Sequence, residues 1–233
     1  HSCTQDEFLE PTTVDLQIKM VNTKPFDDLP AQTEKQDIEF NEGKFHLSSI
    51  EFDGKRENND DHYFSREFDS GLVADLSNNS LNQPVSFDIP RGSYNTIEFK
   101  LHTNRPDDLP GLQFRGKWKR QMGGPGRNPR DEEEIPVEIN FFEDHEESID
   151  LTLNTEAGIG NEQIVFDGDN WNTLEIRINM ASMFRYFNPG NFNGAQMVQQ
   201  ENKRKIIISA HHNTEMYYSL AERVEKSIKA VIK

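Results

Sequence analysis

Three stretches of this chain hold residue types that could do chemistry. The first is HHNTE (211–215). If a helix starts near Asn213, His212 and Glu215 stand one turn apart and could face one metal ion, because imidazole nitrogen and carboxylate oxygen both ligate zinc. A third ligand is not apparent, so the plainer expectation is a polar turn at a helix start, with no metal and no other cofactor. The second is MFRYFNPGNFNG (183–194), where four aromatics stand among Asn, Pro and Gly. Flat aromatic faces flanked by a few polar groups suit sugar binding. Tyr186 and Asn188 are the candidates here, together with Trp118 beside the Gly/Pro-rich loop 121–134 and Trp171 in a turn. Tyr186 is the aromatic expected at the surface, since its hydroxyl can meet water, while Phe184, Phe187 and Phe192 are expected to turn inward and plug the end of the domain. The third is the N-terminus, where Cys3 is the only cysteine in 233 residues. It cannot form a bridge within the chain. A polar tether cannot hold a base against it either, so a catalytic thiol is not expected, while an intermolecular disulfide, an attachment point and a plain exposed cysteine stay open.

Other reactive patterns are weak. With 41 acidic residues, some carboxylate pair will sit at any chosen separation, so paired carboxylates carry no information about glycoside hydrolysis. There is no G-x-S-x-G elbow for a serine nucleophile. FDGDNWN (166–172) offers Asp167, Asp169 and Asn170 as calcium-type oxygens, but it lacks the glycine spacing and closing Glu of an EF-hand, and an Asp-Gly turn is the simpler reading. The expectation is therefore a protein that is not an enzyme. The formal net charge of −16 repels phosphate backbones, so no nucleic-acid partner is expected. No apolar run approaches the roughly 20 residues that span a bilayer.

The elements that must position these groups read mostly as strands. Residues 1–12 are polar and aperiodic, a tether. TVDLQIKMVN alternates Val14, Leu16, Ile18 and Met20, a half-buried strand. KFHLSSIEF alternates with a change of phase that predicts a bulge. FDGKRENNDDHYF reads as a hairpin with Asp53-Gly54 as its turn pair, and PVSFDIPRGSYNTIEFKL as another around Pro90 and Gly92. Further short strands follow to KIIISA, after which Tyr217, Leu220, Ala221, Val224, Ile228 and Val231 share a helical stripe. The expected fold is all-β. It is an antiparallel β-sandwich of immunoglobulin or transthyretin type over residues 13–233, with a C-terminal amphipathic helix (213–232), started by Asn213 or Thr214, packed on it.

Several phrases together give the chain a family likeness. They are Ser2-Cys3-Thr4-Gln5-Asp6-Glu7, FNEGKFHLSSIEFDGKRE, FDIPRGSYNTIEFKL with Pro90, Gly92 and Tyr94 in its turn, LEIRINMASMF, and IIISAHHNTEMYYSLAERVEKSIKAVI. In these the chain resembles small cell-envelope lipoproteins of Bacteroidetes-type bacteria, β-sandwich domains of unknown function. The resemblance implies a signal peptide already removed, a lipid on Cys3, and anchoring to the outer membrane, periplasmic or surface-exposed. It also implies a non-enzymatic binding or accessory module, with glycans as the first ligand to consider. The alternative is a structural or assembly subunit that contacts another envelope protein.

Overall fold

The computed structural model describes residues 10–22, 38–57, 60–121, 132–144, 147–155, 163–168, 173–200 and 203–233. Apolar alternation builds strands β1 (Thr12–Val21), β2 (Ile38–Arg56), β3 (His62–Asp75), β4 (Ser80–Leu81) and β5 (Ser86–Ile89) in the first part of the chain. There follow β6 (Gly92–Thr103), β7 (Leu112–Gln121), β8 (Glu132–Phe141), β9 (Ser148–Thr155) and β10 (Ile164–Phe166). The last are β11 (Thr173–Asn179), β12 (Met197–Gln200), β13 (Lys203–Ile208) and β14 (Ile228–Ile232). Two helices interrupt them, α1 (Met180–Met183) and α2 (Thr214–Val224).

β2 organises the rest. Its register shifts between Phe40 and Glu42 and again between Leu47 and Ser49, the second being the bulge that KFHLSSIEF predicts. Phe45 and Leu47 face the core before that bulge, and Ile50, Phe52 and Gly54 after it. Bulges bend a strand and increase its twist. One edge of β2 therefore pairs with β7 along its first half and with β6 along its second, while β3 runs along the other edge. Asp53 and Gly54 are not the turn of the β2–β3 hairpin. They lie within the strand, opposite Tyr63 and His62. Glycine is needed at position 54 because a Cβ there would collide with the Phe52 and Tyr94 rings.

The sheet runs β12-β13-β8-β7-β2-β6-β9-β14-β11-β1-β5, with β3 and β4 branching from β2 and β10 from β6. It is a mixed, curled sheet with a half-barrel, not the expected purely antiparallel sandwich. β1 with β11, β13 with β8, and β14 with β9 are parallel. Nor do β5 and β6 form a hairpin, since β5 pairs with β1 and β6 with β2, β9 and β10. Gly92, at φ 136°, turns the chain out of the β5 plane, and the Tyr94 hydroxyl closes the corner by donating to the Pro90 carbonyl at 2.8 Å. Across the curl, the Phe64 ring of β3 lies 5.3 Å from that of Phe87 in β5, so aromatic packing joins regions far apart along the sheet path.

The expected helix 213–232 is also shorter than its stripe. α2 ends at Val224, a 3-10 turn covers Glu225–Ser227, and Ile228–Ile232 is the strand β14. The spacing of Ile228 and Val231 fits a helix or a strand. β14 pairs with β9 on one edge and β11 on the other, and this satisfies backbone groups that a longer helix would leave open on both neighbours. Within α2 the predicted stripe holds, with Leu220 and Val224 buried and Tyr217 and Ala221 partly buried against the core; Met216, which the stripe did not include, is buried as well. Neither described helix is long and apolar enough to cross a membrane.

On β11 the buried Glu175 carboxylate faces Lys233 Nζ at 2.6 Å, Arg177 Nε at 2.7 Å and Lys19 Nζ at 3.1 Å. Burial alone would raise its pKa. The three cations overcome that and hold it down at about 2, so the pairing joins β1, β11 and the C-terminal residue at neutral pH.

Candidate functional site

The aromatics of 183–194 root a loop against the β7 side of the core. Phe184 stacks on Phe40 at 5.2 Å, Phe187 meets Phe184 and Phe192 edge-on, and Phe192 lies 5.5 Å from the Trp118 ring. Phe184, Phe187 and Phe192 are all buried, as the sequence predicts for a plug. Trp118 is only 4% exposed and belongs to the same cluster, so as a sugar-stacking residue it is corrected: its ring has no free face. Past this cluster the chain makes a 3-10 turn, Pro189–Gly194, and Asn188 starts it by accepting from the Gly190 N–H at 2.8 Å.

That loop meets HHNTE. Asn213 takes left-handed backbone (φ 49°), and its side chain does not cap α2 as expected. The amide turns back instead. Its Oδ1 accepts from the Gln196 N–H at 2.7 Å, and its Nδ2 donates to the carbonyls of Gln196 (3.0 Å) and Ile207 (2.7 Å). A side chain thus stands in for a strand partner and fixes the loop to the start of α2. Between the two walls opens a cleft of about 820 Å3, lined by Gly190, Asn191 and Gln196 on one side and His211, Thr214 and Glu215 on the other.

The sequence candidates separate at this cleft. Glu215 lines it, but the neighbouring imidazole is that of His211, not His212. His211 Nε2 donates to Asp144 Oδ1 at 3.0 Å. Among the described residues no three His, Cys, Asp or Glu side chains gather into a metal site. Tyr186 is 56% exposed, yet the Arg223 guanidinium lies 4.5 Å from its ring centroid, and Arg223 is itself bonded to the Ser182 carbonyl. Tyr186 thus braces α2 rather than lining the cleft. Tyr218, which the sequence reading passed over, is 61% exposed and stands one helical turn beyond Thr214 and Glu215 on the same face of α2. Its helical spacing from Glu215 was the available signal. Cys3 and Trp171 lie outside the described residues.

A second, smaller concavity of about 370 Å3 lies on the outer face of β3, β2, β6 and β9. Exposed Tyr63 stands there among Glu51, Asp53, Glu98 and Asp150. Much of its charge is spent across strands: His102 Nε2 donates to Glu51 at 2.7 Å and Lys100 lies 3.6 Å from Asp150. No family model, curated protein or solved structure matches this chain.

Asn213→Ala removes three hydrogen bonds and leaves a Cβ residue in left-handed backbone with no polar side chain to support it. Stability should fall by roughly 2–4 kcal/mol. In amide exchange, the Gln196 N–H should lose protection ahead of the sheet. A melt like the parent's, with Gln196 still protected, would show that the clamp does not hold the cleft.

Proposed function

We propose that this chain is a non-enzymatic binding module of the bacterial cell envelope, anchored to the outer membrane through a lipid on Cys3, and that its ligand is a glycan held in the cleft. The observation that carries the ligand reading is the meeting of both candidate stretches, 183–194 and 211–215, at one open polar cleft. Its walls present amides (Asn191, Gln196), a hydroxyl (Thr214), a carboxylate (Glu215) and an imidazole (His211), a mixture of donors and acceptors suited to sugar hydroxyls. Tyr218, one helical turn along α2 from Thr214 and Glu215, adds an exposed aromatic ring. The anchor rests on the likeness of the N-terminal Ser-Cys and polar tether to envelope lipoproteins. Assembly against another envelope protein is the second reading. It is supported by β12 and β5, which end the sheet path and could each receive a further strand.

Expressed with its native signal in its own host, the protein should partition with membranes, and Cys3→Ala should release it; equal partitioning of the two would remove the anchor. For the ligand, a glycan array on the parent should give a defined set of hits. Tyr218→Ala should weaken those hits by on the order of 1 kcal/mol or more without moving the melting temperature. Tyr186→Ala should lower the melting temperature, because it strips Arg223 of its ring. A blank array would leave the assembly reading in front.

A further inference from the structure

The residues that line the cleft give it a charge preference. Among the described residues, no Lys or Arg lines it, and Glu215, in the first turn of α2, is the only carboxylate that does. The Glu215 side chain has neither a hydrogen-bond nor an ion-pair partner among those residues. His211, in the same wall, is turned to a further carboxylate, with its Nε2 3.0 Å from Asp144 Oδ1. Glu143, next to Asp144, accepts from the Ala210 N–H at 3.0 Å. This side of the cleft is therefore built from and backed by acidic groups.

Glu215 does not stand alone on the helix. Tyr218 lies one turn further along and Glu222 one turn beyond that, so the ring sits between two carboxylates on one exposed face of α2. The ring is held from behind. Tyr217 meets it at 5.4 Å and 70°, and Tyr217 itself packs on buried Phe141 at 5.8 Å. An aromatic ring beside carboxylates attracts an organic cation, through the ring quadrupole and through charge-assisted hydrogen bonds from its N–H groups. The cations of the helix do not cancel this face. Arg223 lies 4.5 Å from the Tyr186 ring centroid and donates to the Ser182 carbonyl. Lys226 follows in the 3-10 turn, and among the described residues no ion pair joins it to Glu222.

We propose that the glycan of this cleft is an amino sugar with a free amine. Its ammonium pairs with Glu215 against the Tyr218 ring, its hydroxyls meet Asn191, Gln196 and Thr214, and glycans bearing carboxylate, sulfate or phosphate are turned away. This rests on the reading of the cleft as a glycan site. An ammonium finds there a carboxylate that the fold leaves unpaired. An anionic group would give up hydration to enter a cleft that offers it no Lys or Arg and sets Glu215 against it. The net charge of −16 acts in the same direction at longer range, but it cannot choose a site. Glu215 is the specificity-determining residue. It is exposed, so its pairing alone is worth little, and the preference is the sum of that ion pair and the ring contact.

Amide-shift titrations of the full chain with three oligosaccharides of equal length test this, at a pH where the amine is charged. The probes are a glucosamine oligomer, the same oligomer N-acetylated, and a uronic-acid oligomer. The glucosamine oligomer should bind about fivefold or more tighter than its acetylated form, with shifts at 190–196 and 211–218, and the uronic-acid oligomer should bind weakest. Glu215→Gln should bring the glucosamine and acetylated oligomers to within about twofold of each other, with the parent's melting temperature. Asp150→Asn removes a carboxylate from the other concavity and should leave the preference intact, which separates local pairing from general attraction to an acidic chain. A uronic-acid oligomer bound as tightly as the glucosamine one, a preference that survives in Glu215→Gln, or one lost in Asp150→Asn would each overturn the proposal. So would a lysine-rich peptide that matches the glucosamine oligomer in affinity at the same amides, since charge alone would then be recognised. If none of the three sugars binds, the glycan reading falls and the amino-sugar assignment with it. If they bind in the wrong charge order, only the assignment falls.

Discussion

Everything in this fold depends on the backbone of β2 finding partners along both edges while the strand bends. A straight strand of 19 residues would be about 60 Å long, too long for one flat sheet in a chain of this size. The bulges resolve this. They move the core-facing set from Phe45 and Leu47 to Ile50 and Phe52, and they allow β7 and β6 to share one edge end to end. The curl that results brings Phe64 onto Phe87 across the interior. It also leaves the far end of the path, β8-β13-β12, to be closed by something other than a strand. The aromatic plug Phe184–Phe187–Phe192 and the helix α2 close it, and the cleft lies where those two closures meet.

That position gives the cleft its character. One wall is a turn rooted by buried Phe192 and held by Asn188 and Asn213, and the other is the first turn of a helix. Binding surfaces of this kind pair a stable scaffold with adaptable rims. The turn at 209–212 is held by Glu143 and Asp144.

Local patterns in the sequence were informative wherever one rule decided the outcome. The alternation of Val14, Leu16 and Ile18, the bulge in KFHLSSIEF, the inward Phe184 and Phe187 and the outward Tyr186 follow from period and amphipathicity alone. What the sequence could not display was competition between long-range partners. Ile228–Ile232 suits a helix by spacing and becomes a strand because β9 and β11 both need a neighbour. FDIPRGSYNTIEFKL has every mark of a hairpin, yet its halves pair with different strands, because β1 takes up β5 and β2 takes up β6. The parallel pairs have no local signature either. At the candidate site, residues of HHNTE line the cleft, but Asn213 is a clamp and not a side-chain cap, and His211, not His212, faces the cleft. Tyr218 and the partner of Tyr186 emerge only when α2 is placed against the loop.

The proposed ligand site is one cleft, built from 190–196 and 211–216, with Tyr218 one helical turn beyond. Amide chemical-shift mapping of the isotope-labelled chain with the strongest glycan from an array tests this most directly. Shifts should concentrate at Gly190–Gln196 and His211–Tyr218, with the outer face of β3, β2, β6 and β9 silent. Shifts centred instead on Tyr63 and its carboxylate neighbours, with the cleft silent, would contradict it.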